Sequence, residues 1–298
     1  MIESVIDAWQ QFFHTPAPVA SLAMFRPVLG GLIMVNAVVA LMDARLFLSS
    51  SGLWFSANSR RKRLMLGFSL LEFLPDRPWA AQSVCVLMFL AGGAVVAGAG
   101  TTLALVVAWM TLVTYGHRGH LTMYSGDTLL RLMVVILIFS PCGRALSVDW
   151  WLTGSHGELW GLTQLIDPWT QRLIQVQISI LYLITMSWKL RGSLWRRGTA
   201  VWYPINTREY GRFRVPMFPG IPILVRVFTW GTLATQFSMG VLVWIPVLHY
   251  WVMAAGLLMH AGMMVFLRLF LFMPIIMSTY LLFVSGADMV RVVRWLTG

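Results

Sequence analysis

Long runs of apolar residues separated by short polar segments set the pattern of this chain. Runs of a length to fill the hydrocarbon core, which takes about 20 residues of helix, fall at roughly 18–42, 79–97, 100–116, 128–141, 172–188, 222–245, 247–266 and 269–285. They predict an all-α, polytopic transmembrane bundle of about eight spans, because a helix satisfies its own backbone where no water is present. The fourth run, TLLRLMVVILIFSP, is short and carries Arg131. Pro246 and Arg268 mark breaks in the C-terminal apolar stretch, and Pro274 is expected to kink the last helix. Ahead of the first run, Ile2, Ile6, Trp9, Phe12 and Phe13 recur at helical spacing with no basic region leading into an apolar core. That stretch reads as an interfacial amphipathic segment rather than a cleavable signal peptide. The expected organisation is therefore an interfacial segment over 1–17, a transmembrane domain over 18–285 and a short tail over 286–298.

Composition sharpens this picture. Of the 298 residues 58% are hydrophobic and 11% charged, against about 25% charged in an ordinary soluble domain. The 15 tryptophans suit a membrane interface. A net charge of +11 would suit nucleic acid, but the cations cluster between apolar runs, as cytoplasmic loops beside anionic lipid do. A nucleic-acid partner is set aside and membrane lipid is the expected one. RRKR at 60–63 and the arginine-rich segment 189–226 are assigned to the cytoplasm. The nearly balanced segment 142–171, with Arg144 against Asp149, Glu158 and Asp167, is assigned outside. Eight spans then place both termini outside. Two cysteines, Cys85 and Cys142, give neither a disulfide framework nor a cysteine-rich metal site.

Charged residues at membrane depth are the candidates for chemistry. Counting helices brings His117, His120, Asp127, Lys189, His260 and Arg268 to one side of the membrane. Asp127 and Arg131 are four residues apart and share a helix face, either as a structural ion pair or as part of a polar pocket. His260 in GLLMHAGMMV is either an interhelical hydrogen bonder or a base. The HxxH spacing of His117 and His120 lacks a good third ligand beyond Asp127, and Arg118 repels a cation, so no metal site is expected. Arg26, two turns into the first run, is assigned a structural role with a carbonyl freed by Pro27 as its partner. Lys189 ends the fifth run in MSWKLRGSLWRRGTAVWY. It reads either as an interfacial anchor beside tryptophans or as an amine that acts as a base in a desolvated, cation-rich neighbourhood.

Four stretches together resemble the HTTM membrane domain, the bacterial relatives of the vitamin K-dependent gamma-carboxylase membrane region. They are SLAMFRPVLGGLIMV, the region YGHRGHLTMYSGDTLLRL with its following SVDWW, WKLRGSLWRRGTAVWY, and MHAGMMVFLRLFLFMP. The resemblance runs from about residue 18 to 285. It implies a bacterial inner-membrane protein in which Lys189 is the base that deprotonates a hydroquinone. Leu190, Trp195 and Gly198 complete the lysine motif, with one extra residue before the tryptophan. The carboxylase histidine falls near His120, while SVD leads closer to Asp127. Lys189, His260 and Asp127 are thus the expected catalytic residues, with Arg131, His120 and Trp195 lining the pocket and a lipid quinone or hydroquinone as cofactor. The superfamily also includes the sporulation-delaying-protein B type, which implies a different role: a non-catalytic accessory factor in maturation or export of a secreted antimicrobial peptide.

Overall fold

The computed structural model describes residues 2–44, 69–75, 77–118, 125–154, 158–213, 215–216, 220–269 and 271–297. Among the described residues the chain is all-α apart from one pair of two-residue strands. It divides into two compact units, Met1–Ile174 with Leu281–Gly298, and Gln175–Tyr280. In chain order the elements of the first are α1 (Ile2–His14), β1 (Ala17–Pro18), α2 (Ala20–Asp43), α3 (Pro78–Ala97), α4 (Thr101–Arg118), α5 (Ser125–Ile138), α6 (Val148–Leu152) and β2 (Leu165–Ile166). Helix α7 (Trp169–Arg191) starts in the first unit and continues into the second. There α8 (Ser193–Arg196), α9 (Trp202–Asn206), α10 (Ile221–Gly240), α11 (His249–Phe266) and α12 (Phe272–Ser278) follow. The last helix, α13 (Gly286–Thr297), belongs to the first unit. The residues expected as a short tail are therefore a helix, which buries Met289, Val290 and Val293.

Each of the eight apolar runs forms a helix, but fewer than eight of those helices can cross a bilayer alone. Among the described residues four are long and apolar enough, Ala20–Met42, Pro78–Ala97, Trp169–Arg191 and His249–Phe266. A fifth is added if the bent pair Phe272–Leu282 and Gly286–Thr297 is one span. This corrects the expected count. Helix α5 has 14 residues, about 21 Å at ~1.5 Å per residue, against a core of about 30 Å. Helix α10 is longer, but Arg226, Thr229, Thr232 and Gln236 interrupt its apolar sequence. Pro274 does not kink a long helix. It sits in the first turn of α12, where an amide would have no partner within the helix anyway.

The burial pattern is compatible with a membrane protein. Leu90 on α3 and Leu258 on α11 are 61% and 75% exposed, whereas Arg26, Asp127 and His260 are buried. Charges turned inward beneath an apolar exterior are what membrane depth requires. Helices α2 and α3 pack backbone to backbone. A side chain added at Gly30 would meet the Val96 nitrogen at 2.8 Å, and one at Gly92 would meet the Gly30 oxygen at 3.0 Å. Small residues permit this close approach between membrane helices.

The turn from α3 to α4 is built around two charges. Helix α3 ends at Gly98, whose φ of +67° lets its amide bond back to Val95, a left-handed cap that glycine adopts without strain. Arg26 reaches this end from α2, donating to the carbonyls of Val95 at 2.5 Å, Val96 at 3.0 Å and Leu146. Its partners are thus two carbonyls in the last turn of α3 and one in the segment after α5, not one opened by Pro27. Asp149 accepts from the amides of Gly100 and Thr101, both at 2.7 Å, and so caps α4. Burial opposes ionisation of Asp149, but the Thr101 and Gly100 amides and the Arg26 charge together hold its carboxyl below the usual value. An antiparallel pairing of Ala17 with Ile166 and Pro18 with Leu165 closes the unit beside α1. There His14 Nδ1 meets the Asp167 carboxylate at 2.8 Å.

Candidate functional site

The first unit holds Asp127 and Arg131. Both lie at the start of α5, where a serine at the helix entry and an acidic residue in the first turn suit the positive end of the dipole. The Asp127 carboxylate accepts from Asn36 Nδ2 of α2 at 2.7 Å. Arg131 Nε donates to the main-chain oxygen of Asp127 and its terminal nitrogen to the Thr128 hydroxyl, each at 3.3 Å. The two residues share a face as their spacing predicts. The hydrogen bond that joins them, however, ends on the backbone oxygen of Asp127, and the side-chain partner that sequence reasoning missed is Asn36. His120, assigned to the same pocket, lies outside the described residues.

Lys189, Trp195 and His260 belong to the second unit. Lys189 occupies the last turn of α7, the end at which the helix dipole favours a cation. The helix stops at Gly192, whose amide bonds back to the Lys189 carbonyl at 2.9 Å. The short α8 that follows carries Trp195, so that the Lys189 ammonium lies 5.0 Å from the centre of that ring. Arg191 stacks over Trp188 at 4.6 Å in the same turn. The motif residues Lys189 and Trp195 are therefore in contact.

His260 is buried on α11 and anchors a chain of hydrogen bonds that the sequence did not disclose. Its Nε2 is 2.7 Å from the Tyr182 hydroxyl, which is 2.9 Å from the Tyr280 hydroxyl. Its Nδ1 is 3.3 Å from the Met273 sulfur. A thioether has no hydrogen to give, so in the neutral ring Nδ1 carries the proton and Nε2 accepts. The direction of the chain is then fixed: Tyr280 donates to Tyr182, and Tyr182 donates to His260. Tyr182 precedes Lys189 by seven residues, two turns of one helix face. That face arithmetic was the available signal for Tyr182. A lone tyrosine in an apolar run otherwise reads as packing.

Among the described residues no group of three His, Cys, Asp or Glu side chains converges as a metal site. Lys189, His260, Tyr182 and Tyr280 of the second unit thus supply an amine, an imidazole and two phenols, groups suited to moving protons. No family model, no curated protein and no solved structure matches the chain.

Proposed function

We propose that this chain is a multi-pass bacterial inner-membrane protein of the HTTM, gamma-carboxylase-like type, and that its second unit carries a proton-transfer site with Lys189 as the base. The observation that carries this reading is the directed chain from Tyr280 through Tyr182 to His260, buried in the same unit as Lys189. Buried polar chains are costly when incompletely satisfied, and this one ends on a group that can take a proton at Nε2. A neutral Lys189 amine accepts a proton from an acidic O–H of a bound substrate. A proton arriving at Tyr280 moves to His260 by one shift at each phenol.

The residues fit a hydroquinone in this role. Trp195 supplies a flat wall for an aromatic ring, and Lys189 supplies a basic nitrogen beside it. When bound, a hydroquinone would supply the hydroxyl that Lys189 deprotonates and the reducing electrons. In the first unit Asp127 forms a polar cluster with Asn36 and Arg131.

A second reading is favoured by a different observation. Lys189 on Trp195 and Arg191 on Trp188 are two cation–aromatic pairs at one helix end, as interfacial anchors are. If Lys189 is only an anchor, the accessory role in maturing or exporting a secreted peptide is the better reading. Lys189→Arg separates the two. Arginine anchors as well as lysine but does not give up its proton. The base reading expects a Lys189→Arg protein of normal abundance and folding that loses the product of the native locus, as Lys189→Ala does. It also expects a quinone among the lipids extracted from the purified native protein. A fully active Lys189→Arg variant assigns Lys189 to anchoring.

A further inference from the structure

Three arginines line one cleft beyond the end of α11. The cleft, about 420 Å³, is lined by Asn206, Thr207, Arg208, Arg212, Phe213 and Arg268, all within the second unit. Its walls are fixed by backbone. Gly211 pairs antiparallel with Leu267, the Arg212 amide donates to the Phe266 carbonyl at 2.9 Å, and the Arg268 amide donates to the Tyr210 carbonyl at 2.8 Å. Residues flanking such a pair point to the face opposite the pair itself, so the pairing sets Arg212 and Arg268 on one face. Arg208 is carried by the turn that the Gly211 amide closes on the Thr207 carbonyl at 2.8 Å. Gly211 is tightly enclosed here, because a side chain would strike the Ile205 carbonyl.

Among the described residues no carboxylate forms an ion pair with these guanidinium groups. Among the described residues the ion pairs are His14 with Asp167 and Arg291 with Asp288. Glu209 lies in the same turn but does not line the cleft. The Thr207 hydroxyl and one N–H of the Asn206 amide are committed as donors to the carbonyls of Pro204 and Trp202, leaving the guanidinium forks as the charged donors for a ligand. We propose that this cleft binds a phosphate group. A carboxylate is saturated by one or two forks, whereas the several oxygens of a phosphate can take three, and arginine presents paired N–H donors in the geometry that both need. The depth fits as well. Helix α11 is long and apolar enough to cross a membrane, and Arg268 follows its last residue by two, where lipid phosphates lie. The phosphate can therefore belong to a lipid headgroup or to a soluble solute.

This inference does not depend on Lys189 being a base, and its test reads binding without any turnover. The full-length protein, purified in detergent, is titrated with phosphatidic acid, with diacylglycerol and with inorganic pyrophosphate, followed by native mass spectrometry and calorimetry. Phosphatidic acid or pyrophosphate should bind and diacylglycerol should not. Preference for phosphatidic acid assigns a headgroup, and binding of pyrophosphate assigns a soluble source. Replacing Arg208, Arg212 and Arg268 together by Gln should weaken that binding by about tenfold or more, since each fork makes charge-assisted bonds. Replacing Arg196 and Arg197, outside the cleft, by Gln should leave it within about twofold, as a surface charge is largely screened. If the triple Gln protein does not fold, the triple Lys variant replaces it; it keeps the charge but loses the fork and should still bind more weakly. Equal binding of diacylglycerol and phosphatidic acid by the native protein overturns the proposal. So does undiminished binding by the triple variant, or equal weakening by the control.

Discussion

Asn36 and Asp127 are 91 positions apart, yet one hydrogen bond of 2.7 Å joins their side chains in the interior of the first unit. A carboxylate buried at membrane depth is stabilised by each donor it keeps, and removing the donor leaves its desolvation uncompensated. A double-mutant cycle of Asn36→Leu and Asp127→Leu should therefore give a coupling of about 1–2 kcal/mol, read from unfolding of the detergent-solubilised protein. The cycle of Arg131→Leu with Asp127→Leu should give less, because the oxygen that Arg131 bonds is main chain and survives the substitution. Equal couplings would restore the side-chain ion pair as the principal contact. The charges themselves were readable from the chain, since Asp127, Arg131, Lys189 and His260 stand out in apolar runs. Their partners were not. Asn36, Tyr182 and Tyr280 are ordinary residues in a helix until the fold sets them opposite a charge, and those contacts span 91, 78 and 98 positions.

Helix ends and helix contacts make sharper demands than helix interiors. Asp149 caps α4 through two amides, and its carboxyl is held below its ordinary value. A lowered native value means that this contribution is fully present above the unfolded value, about 3.9, and is lost as pH falls through the native one. Asp149→Asn should cost about 1 kcal/mol at neutral pH, the difference between hydrogen bonds to a charged and to a neutral acceptor. Its melting temperature should converge with that of the native protein toward pH 3, and a gap independent of pH would count against the carboxylate. Between α2 and α3 the requirement is steric. Gly30→Val and Gly92→Val should sharply lower the yield of folded protein, whereas Gly31→Ala and Gly93→Ala, where the added methyl meets nothing within 4 Å, should be tolerated. Size-exclusion profiles of the four variants check this. At this scale the apolar runs did locate the helices, since eight runs became eight helices. Length and polarity decided which could cross alone, and Pro274 misled because a proline in a first turn starts a helix as readily as it bends one inside.

Sidedness of the whole chain is less sensitive to the number of crossings than the correction to that number suggests. Helices α4 and α5 are consecutive, so whether both cross or both turn back, the segments before and after the pair stay on the same sides. Residues 59 and 208 are then separated by an even number of crossings in either case. Cysteines placed singly at Ser59, which lies outside the described residues, and at Arg208 should react equally with a membrane-impermeant reagent from one face. Opposite reactivity would mean that one helix of the pair crosses alone. Arg26 has a further consequence, one of timing. The helix that carries it emerges from the ribosome while its carbonyl partners, 69 and 70 residues later in the chain, are still to be made. At ~5–20 residues per second that interval lasts on the order of several seconds. An isolated arginine opposes insertion by roughly 2.5–3.5 kcal/mol at the centre of a helix and by less toward the end, where Arg26 lies. Helix α2 therefore has reason to linger at the translocon until α3 arrives, entering the lipid as one half of a hairpin rather than as a finished span.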